Sequence, residues 1–139
     1  MSRRAVMDAL YAAVSGVAAK SDRNSAMPSR VPAGGFLVLR EGEPGEPITY
    51  LGRPRPLEHY AHEVQVELYV QRPAEGEAEI DALHQAMADA IAATASLGGL
   101  AERVTVGQPT IDPLLGEAGD EILAAAVTVT VEYTVPRAA

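Results

Sequence analysis

The residues best suited to chemistry sit together in "HYAHEVQVELYVQ", residues 59–71. His59 and His62 are two of the chain's three histidines, and Glu63 follows at once. Imidazoles and a carboxylate so close in sequence could ligate a divalent metal or exchange a proton with a substrate. A pair spaced three residues apart converges on one face of a helix, but in a strand it diverges. The pattern here is that of a strand. Tyr60, His62, Val64, Val66, Leu68 and Val70 fall on one side, and His59, Ala61, Glu63, Gln65, Glu67, Tyr69 and Gln71 on the other. The two histidines are therefore expected to point to opposite faces and to share no metal. His84 falls beside the apolar stripe of a helix, where a hydrogen bond to a neighbour or water accounts for it.

The remaining chemical candidates are weaker. Glu63 with Glu67, Glu77 with Asp81, and Asp120 with Glu121 have no second catalytic group beside them, and in an acidic chain such pairs read as solvated surface. The serines lack a G-x-S-x-G context. "PAGG" is too short for a phosphate loop. "LGGL" follows a helix and reads as its cap. The chain has no cysteine, which excludes disulfides, thiolate metal sites and a cysteine nucleophile. No catalytic, cofactor or metal site is expected, and so no enzyme.

The elements that must position these residues follow from composition and periodicity. With 139 residues, one domain over 1–139 with a single core is expected. Aromatic content is only 4%, with one Phe and no Trp, so aliphatic side chains must build that core. The net charge of −8 argues against non-specific binding to nucleic acid, which depends on neutralising phosphates. Ser2 can cap a helix over residues 3–20, with Val6, Leu10, Ala13, Val14 and Val17 on one stripe. Basic residues ahead of an apolar stretch could suggest a signal peptide, but Asp8 interrupts it and the period is helical. No apolar run approaches the ~20 residues that span a bilayer.

Residues 21–35, polar and ending in Gly-Gly, read as a long loop. Strands are expected over about 36–41 and 48–51, joined by the turn-rich "GEPGEP", and over about 60–71 after the proline-broken "GRPRPLE". A helix over 78–97 carries Ile80, Leu83, Met87, Ile91 and Thr94 on one stripe. Strands over about 102–107 and 122–135 follow, separated by a long acidic loop. The last alternates Val127, Val129, Val131, Tyr133 and Val135 with Thr128, Thr130, Glu132 and Thr134. This order predicts an α+β domain: a mainly antiparallel sheet of about five strands with two helices on one face. The other face carries Glu, Gln and Thr and must meet water or a partner.

Candidate contact residues lie in the loops. They are Met27, Arg30 and Val31 in the first, Glu43 and Glu46 in the hairpin loop, Arg53 and Arg55 in the proline-rich break, and Ile111, Leu114 and Leu115 in the last. Apolar side chains at loop tips often mark protein contacts, or else tuck back onto the domain.

The whole pattern resembles a known family. "ALYAAV", "VPAGGFLVLREGEPGEP", the long "YAHEVQVELYVQ" strand, "ADAIAATASLGGLAERV" and a final V-x-V-x-Y strand together resemble the tail terminator or tail-completion proteins of tailed bacteriophages and phage-derived particles, gene transfer agents among them. The resemblance covers nearly the full chain, and its motifs are structural. It implies a structural virion protein: a homo-oligomeric ring, a hexamer, assembled in the host cytoplasm. Such a ring caps the tail tube, ends its polymerisation and presents a surface to head–tail connector or neck proteins. DNA would pass through an acidic lumen unbound, like charge repelling like. Two other readings stand beside it. One is another neck or connector component. The other is a small-molecule binding or enzymatic α+β domain, for which His62 and His84 would be tested first.

Overall fold

The structure is a computed structural model and describes residues 2–28, 30–51, 55–71, 76–115 and 121–136. Its frame is one long antiparallel ribbon. β4 (Leu57–Gln71) pairs along its whole length with β7 (Glu121–Pro136), in a register that sets Val64 opposite Val129. The sequence alternation of both strands makes this possible, because each presents an apolar row to one side, broken on β4 by the buried His62. On the β4 side lie β2 (Phe36–Arg40) and the short β3 (Ile48–Tyr50), both antiparallel to β4. β1 (Lys20–Arg23) adds to β2 in parallel. On the β7 side lie β5 (Arg103–Val106) and β6 (Thr110–Leu115), both antiparallel.

The fold is therefore α+β, with a mixed, mostly antiparallel sheet of seven strands and its helices on one side. Two of the seven strands lie where loops were expected. β1 falls in residues 21–35 and β6 in the last acidic loop. Both are edge strands held by backbone pairing to a neighbour, and neither carries an alternating apolar row.

α1 (Arg3–Val14) starts at Ser2, whose hydroxyl accepts the Ala5 N–H at 3.2 Å. It ends at Val14 rather than at residue 20, because Ser15 and Gly16 begin a turn. Val6, Met7, Leu10 and Val14 are its buried stripe. α2 (Gly76–Ala92) sets Glu77 and Glu79 in its first turn, where the helix dipole favours negative charge, and buries Ile80, Met87 and Ile91. These side chains meet Val64, Val66, Leu68 and Val70 of β4, and Val127, Val129, Val131 and Tyr133 of β7, in one main core.

The expected helix over 78–97 stops at Ala92. Ala95, Ser96 and Leu97 then adopt left-handed backbone with φ of 51°, 60° and 57°. The turn labelled α3 (Ala95–Gly98) is thus a single left-handed turn. Thr94 closes it: its hydroxyl donates to the Ile91 carbonyl at 2.6 Å and accepts the Leu97 N–H at 3.0 Å.

A second, smaller core lies on the helix-free face. Phe36, Val38, Tyr69 and Ile122 cluster there around Val31. No helix among the described residues is long and apolar enough to cross a membrane.

Candidate functional site

The three histidines have three different settings. His62 is fully buried among the core residues. Its Nε2 lies 2.6 Å from the backbone carbonyl oxygen of Glu41, and its Nδ1 lies 3.0 Å from the Tyr133 hydroxyl. A carbonyl only accepts, so Nε2 carries a proton, and in the neutral ring Nδ1 then accepts from the Tyr133 hydroxyl. Both ring nitrogens are engaged and none is left for a substrate. His84 Nε2 donates to the Gly107 carbonyl at 2.8 Å, tying α2 to the turn after β5.

His59 points to the other face, as strand alternation requires. Its Nδ1 lies 3.0 Å from Thr134 Oγ1 and 3.1 Å from Glu102 Oε2, and its Nε2 lies 3.5 Å from Glu132 Oε1. Thr134 donates its own hydroxyl proton to Glu102. That proton is committed to a carboxylate, so His59 does not activate Thr134 as a nucleophile. The group acts as a polar clamp across β4, β7 and the entry to β5. Sequence reasoning missed it because only the strand register brings residues 59, 102, 132 and 134 together. Among the described residues no group of three or more His, Asp or Glu is placed to hold a metal ion.

A second polar network holds the end of β2. The Glu41 carboxylate is buried and bonds Arg23, with Asn24 Nδ2 at 3.3 Å and Arg3 Nη1 at 3.7 Å. Arg23 Nη2 also lies 2.8 Å from Asp8 Oδ1. Burial works against the charge on Arg23, but hydrogen bonds and attraction from Glu41 and Asp8 outweigh it and raise its pKa. This network joins α1, β1 and β2 and has a structural role.

What remains is surface. Among the described residues β3 pairs on one edge only, with β4. Ile48 is 60% exposed, Tyr50 50% and, just after the strand, Leu51 76%. Tyr50 stacks edge-on against His59, their ring centres 6.3 Å apart. β3 thus forms a short apolar arm at the Leu57 end of the ribbon. At the other end, α1's exit, the 32–34 turn, β4 and α2 enclose an open groove of about 620 Å³. Val17, Pro32, Val70, Leu83 and Ala86 line it with apolar atoms, and Glu79 contributes a carboxylate. None of the three histidines lines it. Gly35, with φ of 87°, lets β2 start close against Leu83, where a Cβ would lie 2.8 Å from Leu83 Cδ1.

The loop residues singled out from sequence are dispersed. Met27 and Arg30 are exposed between β1 and β2. Val31 is only 4% exposed and packs in the second core, so it anchors its loop instead of presenting a contact. Glu43, Glu46 and Arg55 are exposed and flank the β3 arm in the chain. Arg53 lies outside the described residues. Ile111 is half-buried on β6, and Leu114 and Leu115 pair along that strand with Ile122 and Glu121. The sequence marks Ile48, Tyr50 and Leu51 as a strand and gives no sign of their exposure beyond the "GEPGEP" and "GRPRP" breaks that bracket "ITYL" in the chain.

No protein-family model matches the chain, and no curated protein matches it. Among solved structures it is similar to a chain from the virion of a native gene transfer agent (GTA) particle. The match has 16% identity and a TM-score of 0.33, over 93% of this chain and 92% of that one. A likeness that loose specifies no role.

Proposed function

We propose that this chain is a structural virion protein of a tailed phage or phage-derived particle, a tail terminator that assembles as a hexameric ring on the end of the tail tube. The observation that carries the reading is the β3 arm. Three large apolar side chains stand 50–76% exposed on and just after a strand with one edge unpaired among the described residues, and of the other described large apolar residues only Met27 is comparably exposed. Exposed apolar clusters and open strand edges are places where another chain docks. The full-length resemblance of the sequence to terminators supplies the kind of assembly. In such a ring, one face matches the last ring of tube subunits and the other cannot accept a further one. That other face is open to connector or neck proteins.

The His62, His84 and Glu41 networks support a non-enzymatic role, since their polar atoms are used in holding the fold. The acidic balance of the chain suits a lumen through which DNA passes unbound. The protein would be assembled in the host cytoplasm and reside in the tail. The test is tube length. Added in substoichiometric amounts to polymerising tube protein, the chain is expected to arrest elongation and to remain at one tube end. Unchanged tube length and no end-bound protein would contradict the reading.

A further inference from the structure

We infer that the β3 arm of one copy seats in the groove between α1's exit, β4 and α2 of the next copy, so that subunits join head to tail through arm and groove. The inference deepens the ring reading above and rests on it. Its first support is complementarity within one chain. The arm offers Ile48, Tyr50 and Leu51 exposed, and the groove is lined mainly by Val17, Pro32, Val70, Leu83 and Ala86.

The second support is charge. The chain is acidic overall, yet the segment after the arm carries arginines at 53 and 55. The groove carries Glu79, and Glu77 lies exposed in the same first turn of α2. Neither Arg55 nor Glu79 forms an ion pair with any described residue. Glu43 and Glu46 precede the arm, so the complementarity is one-sided: the arginine side of the arm matches the acidic rim of the groove.

The third support is placement. β3 pairs at Leu57–His59, while the groove is built on Val70 and Gln71. Val70 lies eleven residue steps along extended chain from His59, about 36 Å at the rise of a strand. An arm cannot reach its own groove, so it is satisfied by a second copy. Joining two different patches is a heterologous arrangement, which gives a ring when the rotation closes and a filament when it does not.

The absence of native cysteine makes the test clean. Leu51 and Ala82, a groove residue, are both exposed, so L51C and A82C disturb no packing within a subunit. Treated with a short bismaleimide, the full-length L51C/A82C variant is expected to give a ladder of covalent oligomers that ends at ring size. Each single variant is expected to give none. Arg55→Glu and Glu79→Arg are each expected to raise the half-assembly concentration roughly two- to fivefold, and the double swap to restore it. If the wild type forms rings, but L51C/A82C rings show no cross-linking and Leu51→Asp leaves ring assembly unchanged, the inference is overturned and the ring reading stands, the groove then belonging to another occupant. Covalent dimers alone would overturn the head-to-tail arrangement. A wild-type chain that forms no oligomer would overturn the ring reading and this inference with it.

Discussion

His62 donates its Nε2–H to the backbone carbonyl of Glu41 at 2.6 Å while its Nδ1 accepts from the Tyr133 hydroxyl. One side chain on β4 thereby fixes the turn leaving β2 and the far end of β7. Replacing it with leucine strands a buried carbonyl and a buried hydroxyl. His62→Leu is expected to destabilise the chain by about 2–4 kcal/mol in urea unfolding. His84→Ala, which frees a single carbonyl at a half-buried site, should cost about 1 kcal/mol. Equal small effects would show that His62 is not the tie described.

The Glu41 network makes a second prediction. Arg23→Ala removes the closest partner of a buried carboxylate and leaves it to Arg3 at 3.7 Å and Asn24 at 3.3 Å. The expected loss is about 3 kcal/mol. Substituting both Arg23 and Glu41 with apolar residues should cost less than Arg23→Ala alone, because no charge is then stranded. Urea unfolding of the three proteins checks the order.

Much of the frame was legible in the sequence. The alternation over Tyr60–Gln71 and Val127–Val135 identifies two strands whose apolar rows must share a face, and the helical stripes of α1 and α2 identify what covers that face. The rest depends on partners that a linear reading does not contain. β1 and β6 are edge strands selected by the backbone beside them, and β6 even holds Pro113, which an edge position tolerates. Val31 looked like a loop tip because the small core under it is assembled from β2, β4 and β7. The His59 clamp is invisible for the same reason: it exists only in the register that sets His59 opposite Thr134.

Alkaline pH should weaken the fold through Tyr69. Burial, then its hydrogen bond to Glu67, pushes its pKa up to about 12, against about 10 in an unfolded chain. Between those values the folded state holds a proton that the unfolded state has released. The tyrosine's contribution is therefore complete below pH 10 and is lost as pH rises towards 12. Unfolding free energy should fall by about 1.4 kcal/mol per pH unit in that window for this group. Burial likewise raises Tyr133, which adds to the slope. In Tyr69→Phe the slope should be shallower by the Tyr69 share, and an unchanged slope would contradict the assignment.

The left-handed turn at Ala95–Leu97 predicts an inverted glycine effect. Left-handed backbone burdens a residue with a Cβ by about 1–2 kcal/mol, and glycine avoids this. Ser96 is exposed, so Ser96→Gly removes no packing. It should be neutral or stabilising by up to about 1 kcal/mol in thermal unfolding. In a right-handed helix the same change would destabilise by a similar amount.

The central claim, that this chain works as a ring, is tested most directly by its native mass. Light scattering on the purified protein across a concentration series, with and without tube protein, should converge on a hexamer, and negative stain of the same sample should show closed rings. A chain that stays monomeric at the highest concentration, in both the presence and absence of tube protein, would contradict the account.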